Sequence, residues 1–194
     1  MRKFSILAVL ASVFMLAPAL FAQNHGEFGV FADYTRLGTG GGDALNYVGV
    51  GARLGFNVHP NLAFEAEGSY DPNRSYAYQS GTGGVFGTYN ANLHIANAMF
   101  GPKLQFGTGA FRAFVTVKGG LITFRGGNPS FIGTVNAIPG GSTDAVLYPG
   151  GGLEAYAGPI GVRLDVGDEI YFAGSDAGGA HHNLKVSFGP HIRF

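Results

Sequence analysis

The chain has 194 residues, and its 12 Lys and Arg balance its 12 Asp and Glu, so the formal net charge is zero. That balance argues against a protein that binds nucleic acid through a basic surface. The absence of cysteine excludes a fold held by disulfides. With 34 glycines and abundant Phe and Tyr, but few runs of good helix formers, the composition favours a sheet protein with glycine-rich connections.

The first 22 residues are typical of an export signal. Arg2 and Lys3 are followed by an almost uninterrupted apolar stretch from Ile6 to Leu16 and then by small residues ending at Ala22. We expect cleavage after Ala22, which leaves residues 23–194 as one domain with ten basic and twelve acidic side chains. The alternative is a retained anchor helix, because the apolar stretch approaches the length that spans a bilayer.

The rest of the chain alternates apolar and polar residues with a period of two. This pattern predicts eight β-strands separated by turn-forming residues. The predicted strands cover residues 26–36, 46–58, 62–70, 93–106, 111–123, 145–156, 160–171 and 182–194.

Short and long connections between these strands alternate strictly. The short ones are 59–61, 107–110 and 157–159; the long ones are 37–45, 71–92, 124–144 and 172–181. Such alternation is expected of an antiparallel up-and-down transmembrane barrel with short turns at its periplasmic end and long loops at its extracellular end.

Charged residues fall almost entirely on one face of the predicted strands. That face collects seven acids and seven bases, whereas the apolar face carries only Arg36 and Asp168. A charge that faces lipid at the membrane midplane costs about 2–4 kcal/mol, so in a membrane barrel the charged face must point inward. A soluble lipocalin-like barrel would reverse the two faces. Aromatic residues near both ends of the apolar face, such as Phe111 and Tyr70, favour the membrane orientation.

The last strand places four apolar residues on one face and ends in an aromatic residue. It also contains a partial repeat, because residues 100–106 read FGPKLQF and residues 188–194 read FGPHIRF. Pro102, Pro149 and Pro190 each remove a ladder donor from a predicted strand, and we expect β-bulges at all three. The predicted assembly signal consists of Val186, Phe188, Ile192 and Phe194.

With these features the mature chain resembles the small eight-stranded outer-membrane barrels of the OmpA, OmpX and opacity-protein type, and the generic outer-membrane β-barrel domain. The resemblance implies a barrel in outer-membrane lipid whose last strand is recognised by the assembly machinery and pairs with the first. The chain departs from this group in having no Trp. We also expect it to differ from full-length OmpA in lacking a second, peptidoglycan-binding domain. We expect a monomer without a cofactor, a metal or a nucleic-acid partner.

Eight strands enclose only enough space for side chains, so the inward charges predict an ion-pair network that fills the lumen. A small passive channel is the alternative. The predicted members of the network are Arg53, Glu65, Glu67, Lys103, Arg112, Lys118, Glu154, Arg163, Asp165, Glu169, Lys185 and Arg193.

Two further hypotheses concern the long connections. His181 and His182, near Ser175 and Asp176, could be part of a lipid A deacylase or acyltransferase site, or a metal-binding pair. Adjacent histidines on a strand point to opposite sides, however, so we interpret them as solvated residues and predict no enzyme. The connection 71–92 offers aromatic residues among small polar ones, a composition suited to adhesion or ligand docking. These contact candidates are Tyr76, Tyr78, Phe86 and Tyr89.

Overall fold

The computed structural model describes residues 25–38, 44–82, 85–107, 109–126, 142–173 and 179–194, with the side chains of 73–92 and 173 excepted. The predicted signal peptide lies outside the described residues and stays a prediction. Among the described residues, no helix is long and apolar enough to cross a membrane.

Eight antiparallel strands form a closed barrel in which each strand pairs with the next and β8 pairs with β1. The predicted number and order of strands are therefore confirmed. The strands are β1 (Gly26–Leu37), β2 (Leu45–His59), β3 (Leu62–Thr82), β4 (Val85–Phe106), β5 (Phe111–Gly126), β6 (Thr143–Ala157), β7 (Ile160–Ala173) and β8 (Gly179–Arg193).

The register of the eight ladders sets the dimensions of the barrel. A circuit of register partners that starts at Phe106 on β4 crosses all eight strands and returns to β4 at Ala96, ten residues away. With ordinary strand spacings, a stagger of ten over eight strands gives a tilt of about 41° and a backbone radius of about 8 Å. Such a barrel has room for side chains but not for a water-filled pore.

The short connections join β2 to β3, β4 to β5 and β6 to β7 at one end of the barrel, which we call the short-turn end. Gly107 and Gly158 adopt φ of 104° and 67° there, a backbone region that glycine enters without strain. The other end, at which β1 leads to β2, β3 to β4, β5 to β6 and β7 to β8, is called the upper end.

The prediction of a long loop over 71–92 is wrong. β3 and β4 continue as a paired hairpin to Thr82 and Val85, so that only residues 83–84 connect them. The register shifts between Asp71 and Arg74, where the ladder leaves the barrel wall. The many Gly, Ser, Thr and Asn residues of this segment suggest a loop, yet they tolerate an extended ladder.

The prediction of bulges at the three prolines is also wrong. Each ladder skips two pairs beside its proline and then resumes in the same register, on β4–β5 for Pro102, β6–β7 for Pro149 and β1–β8 for Pro190. Each proline ring points outward, and its other ladder runs without interruption. The missing N–H therefore removes local hydrogen bonds without inserting a residue.

The repeated Phe-Gly-Pro sequence fits this interruption. A Cβ at Gly101 would lie 2.0 Å from the Val117 carbonyl oxygen, and one at Gly189 would lie 2.1 Å from the Val30 carbonyl oxygen. Real Cβ atoms do not approach backbone atoms so closely. The glycines before Pro102 and Pro190 therefore let the neighbouring strand stay close where the ladder is broken.

Candidate functional site

The lumen is the part of the described barrel in which polar side chains converge. Along every strand most inward residues are buried and alternate with outward residues, many of which are exposed and apolar. Nine carboxylates are buried inside: Glu27, Asp33, Glu65, Glu67, Asp71, Asp144, Glu154, Asp165 and Glu169.

Nearest the short-turn end is a lower cluster, built around Lys103. The Nζ of Lys103 lies 2.7 Å from Glu27, 2.9 Å from Glu65 and 2.9 Å from Glu154, so each of its three protons faces a carboxylate. Arg163 donates to Glu65 through both terminal nitrogens, a bidentate arrangement, and lies 3.9 Å from the centroid of the Phe114 ring. Arg193 completes the cluster by donating to Glu27.

A middle cluster lies above it and joins two cations to two carboxylates. Lys118 lies 2.6 Å from Glu67, and Arg53 lies 3.4 Å from Glu67 and 3.8 Å from Asp165. Tyr148 donates to Asp165 at 2.8 Å. The four charges balance, and Arg163 links this cluster to the lower one through a 2.8 Å contact with Asp165.

An upper cluster has more carboxylates than cations. Lys185 lies 3.3 Å from Asp33 and 3.4 Å from Glu169, and it donates to Ser69 at 2.8 Å. Asp71 and Asp144 are also buried at this end of the lumen, where Lys185 is the cation of the described ion pairs. The lumen is thus polarised, with its excess negative charge toward the upper end.

Apolar side chains fill the lumen at the upper end, and we call this group the apolar cap. Six strands contribute to it, and several of its members have no exposed surface. The rings of Phe124 and Tyr171 pack at a centroid distance of 5.0 Å. The cap consists of Leu37, Tyr47, Leu93, Ile95, Met99, Ile122, Phe124, Val146, Tyr148 and Tyr171.

Sequence reasoning missed the apolar cap, although a signal for it exists. At the upper ends of β5 and β6 both faces are apolar, as in Leu121-Ile122 and Val146-Leu147. An outward apolar residue beside an inward apolar residue marks a place where the lumen is no longer polar. The buried Asp71 and Asp144 were missed because they fell inside predicted connections.

Comparison with solved structures shows which proteins share this architecture. Neisserial surface protein A matches over 87% of this chain and 97% of its own, with a TM-score of 0.57 and 15% identity. Ail, the attachment invasion locus protein of Yersinia pestis, solved in complex with the heparin analogue sucrose octasulfate, matches over 88% of this chain and 99% of its own, with a TM-score of 0.54 and 13% identity. The outer membrane protein OprG from Pseudomonas aeruginosa matches over 88% of this chain and 96% of its own, with a TM-score of 0.51 and 11% identity.

The fold is that of the small eight-stranded outer-membrane barrels. No protein-family profile matches the chain. No curated protein sequence matches it either. Since the solved structures are only 11–15% identical to the chain, the likeness establishes the fold alone.

Within this outer-membrane barrel fold, eleven of the twelve residues predicted for the network take part in ion pairs. Arg112 is the exception. It has no ion pair among the described residues, and its guanidinium lies 5.4 Å from the centroid of the Tyr156 ring. Glu27 and Asp33, which the alternation places on the inward face, complete the clusters around Lys103 and Lys185.

The residues predicted as an assembly signal lie on the last strand. Phe188 and Ile192 point outward and are 56% and 46% exposed. Phe194 exchanges backbone hydrogen bonds with Gly26 at 2.8 and 2.9 Å, so the chain end pairs with β1. Whether assembly machinery recognises this strand stays a prediction.

The two adjacent histidines point to opposite sides of β8, as their spacing requires. His181 stacks on Tyr171 at the apolar cap with a centroid distance of 4.8 Å. His182 faces outward, and its Nδ1 lies 2.5 Å from Oδ2 of Asp168. Ser175 and Asp176 lie outside the described residues. No group of three metal-ligating side chains occurs among the described residues.

The four aromatic contact candidates lie on the hairpin beyond the barrel wall. Tyr78 is the register partner of Tyr89, and Tyr76 is two residues from Tyr78, so these three occupy one face of the ladder. Phe86 pairs with Gly81 and occupies the other face. Their side chains lie outside the described part of the structure.

Proposed function

We propose that this protein is a monomeric outer-membrane barrel that conducts no solute and acts as a structural or surface-binding protein. The observation that carries the proposal is the filled lumen: three ion-pair clusters stacked beneath the apolar cap. Leu37, Ile95 and Phe124 at the cap have no exposed surface. An ion would have to cross this apolar level after displacing buried salt bridges.

The outward face supports placement in a membrane. Large apolar residues are exposed on every strand, among them Phe100, Phe188 and Leu153, and they would face water in a soluble barrel. Continuous apolar surface of this kind is expected against lipid. The structural neighbours are outer-membrane proteins, which supports the same location for this chain.

Placement is tested by fractionating cells and comparing the migration of the outer-membrane band on SDS gels with and without boiling. We expect the protein in that fraction and a shift on heating, because an SDS-resistant barrel migrates as a compact species. Recovery from the soluble periplasm without a shift would overturn the placement.

Absence of conduction is tested by planar-bilayer recording of the purified barrel. The wild type should give no reproducible single-channel steps at any holding potential. A triple variant, Ile95→Ala, Phe124→Ala and Tyr171→Ala, opens space in the cap and serves to show whether the cap is the barrier. Regular steps from the wild type would favour the channel alternative.

A surface-binding role is supported by the β3–β4 hairpin, which carries paired strands as far as Thr82 and Val85, past the last described barrel contacts of β3 with β2 at Val50. Tyr78 stands opposite Tyr89 in the register, and Tyr76 is two residues from Tyr78, so we propose that these three positions form one contact face. One structural neighbour, Ail, is named the attachment invasion locus protein. For this chain we propose adhesion on the basis of the hairpin.

The hairpin is tested in two matched forms. One variant replaces Tyr76, Tyr78, Phe86 and Tyr89 by Ser; the other replaces residues 76–91 by Asn-Gly, which joins the register partners Ser75 and Asn92. Both should keep the heat-dependent gel shift and lose retention of expressing cells on epithelial monolayers. Retention equal to wild type in both variants would remove adhesion and leave a structural role.

The outward pair of Asp168 and His182 favours a second candidate, an enzyme that modifies lipid at the membrane surface. A carboxylate that orients a histidine is one part of a hydrolytic or acyl-transfer site. Incubation with lipid A and phospholipid, followed by mass spectrometry, tests it. Product formed by the wild type and lost in His182→Ala would establish the enzyme, and unchanged lipids would exclude it for those substrates.

A further inference from the structure

A cavity of about 690 Å³ opens at the short-turn end, and we call it the short-turn mouth. Its described lining contains two arginines and two histidines but no carboxylate. The lining residues are His25, Asn57, Val58, His59, Pro60, Asn61, Gly107, Gly109, Ala110, Arg112, Tyr156, Gly158 and Arg193. The mouth therefore presents cationic and hydrogen-bonding groups to whatever enters it.

The ion pairs beneath the mouth are already balanced without Arg112. In the lower cluster three cations, Lys103, Arg163 and Arg193, share three carboxylates. Arg112 is a fourth cation at this level, and it has no carboxylate within 4.0 Å among the described residues. Among the described side chains of the lower lumen, Arg112 is thus the lysine or arginine without an ion pair, and it lines the cavity.

Arg112 has a carboxylate, Glu154, as its register partner, but that carboxylate contacts Lys103 and Arg163 instead. Arg112 on β5 is directly opposite Glu154 on β6. Oε1 of Glu154 instead lies 2.9 Å from Lys103 and 3.3 Å from Arg163, and Oε2 accepts a hydrogen bond from Tyr156 at 2.9 Å. The Nε of Arg112 is buried and has no described hydrogen-bond partner. An anion from outside the chain could take the place that Glu154 leaves.

We infer that the short-turn mouth binds a small organic anion carrying carboxylate or phosphate groups, with Arg112 as its main contact. A guanidinium matches the two oxygens of such a group with paired hydrogen bonds. The guanidinium of Arg112 packs on the ring of Tyr156. The Tyr156 hydroxyl is hydrogen-bonded to Arg193 and Glu154, so the ring that supports Arg112 is held in place. Asn61 and His59 also line the mouth and add an amide and an imidazole to its polar groups.

The volume of the short-turn mouth favours a small organic molecule as its ligand. A volume of about 690 Å³ is in the range of pockets that hold small organic molecules. It is far larger than a single inorganic ion requires. The site goes beyond the proposed function, since it lies at the end of the barrel opposite the hairpin, and in an outer-membrane orientation it would open toward the periplasm.

The test uses the full barrel refolded in detergent micelles, with ¹⁵N labelling and two probes, citrate and inorganic phosphate, each titrated at constant ionic strength. Backbone amide signals of Gly109 and Gly158 report the mouth, and that of Gly179 reports the upper end. We expect saturable shifts at the first two and none at Gly179. If citrate binds more tightly than phosphate, carboxylates are the preferred ligand group. If phosphate binds more tightly, phosphate groups are preferred.

Two variants make the result specific to Arg112. Arg112→Gln should weaken binding at least tenfold, whereas Arg125→Gln, which removes an exposed arginine at the upper end, should leave it unchanged. Ala110→Glu keeps Arg112 but adds an acid to the lining, and it should also weaken binding. The inference is overturned if neither probe gives saturable shifts, or if Arg112→Gln and Ala110→Glu bind as tightly as wild type.

Discussion

Asp33 and Asp71 face each other across Gly49, on three adjacent strands of the upper lumen. The position that a Cβ would occupy at Gly49 lies 2.7 Å from Oδ1 of Asp33 and 2.6 Å from Oδ1 of Asp71. Those two oxygens have no described hydrogen-bond partner, although both residues are buried. Two carboxylates therefore occupy the space that a side chain would fill, with Lys185 as their nearby cation.

Asp71→Asn should stabilise the barrel. The substitution removes a negative charge from a cluster with too few cations, and the amide can donate to Asp33, so the free energy of unfolding should rise by about 1 kcal/mol or more. Urea unfolding of the refolded protein in lipid vesicles measures it. Glu67→Gln is the matched control in the balanced middle cluster and should have the opposite sign, with a loss of about 3–5 kcal/mol. Destabilisation by both substitutions would contradict the charge imbalance.

Lys118 and Glu67 should prove strongly coupled. Their contact is 2.6 Å long and fully buried, so Lys118→Met and Glu67→Gln should each cost about 3–5 kcal/mol by leaving a charge without its partner. The double variant should cost less than the two losses combined, by about 0.5–3 kcal/mol. Strict additivity in the same unfolding measurements would mean that the two side chains do not interact.

Gly189→Ala should prevent closure of the barrel. A Cβ there would lie 2.1 Å from the Val30 carbonyl oxygen and 2.6 Å from the Phe31 Cα, both on β1, the strand that β8 must join. Gly109→Ala is the control, because nothing lies within 4 Å of its Cβ position. The yield of heat-modifiable protein after refolding should fall sharply for the first variant and stay at the wild-type level for the second. Equal yields would show that the seam can widen without loss.

The sequence could predict the number of strands, their order and the face on which charges lie. Alternation records the difference between lumen and outer surface at every second residue, so Lys103 and Glu65 could both be placed inside. Their contact could not be predicted, because it depends on the ten-residue stagger of the closed ladders. Arg112 and Glu154 illustrate the same limit: they are register partners, yet Glu154 pairs with Lys103 from another strand.

Other features were hidden by composition. The segment from Asp71 to Asn92 is rich in small polar residues, which are common in loops, and the register shift after Asp71 breaks the alternation that would mark a strand. The cap residues Ile122 and Phe124 follow Leu121 in a run that is apolar on both faces. Period-two reasoning assigns such a run to a strand but cannot tell lumen from lipid.

An outward arginine should be tolerated at the short-turn rim but not near the middle of the barrel wall. Val117 and Phe111 are both outward residues of β5, 50% and 80% exposed, and Phe111 is the first residue of that strand. In a membrane, Val117→Arg should cost about 2–4 kcal/mol and Phe111→Arg about 0–1 kcal/mol, since the penalty depends on depth in the bilayer. Unfolding in lipid vesicles measures both. Equal and small losses would mean that this face meets water, and the outer-membrane placement would fail.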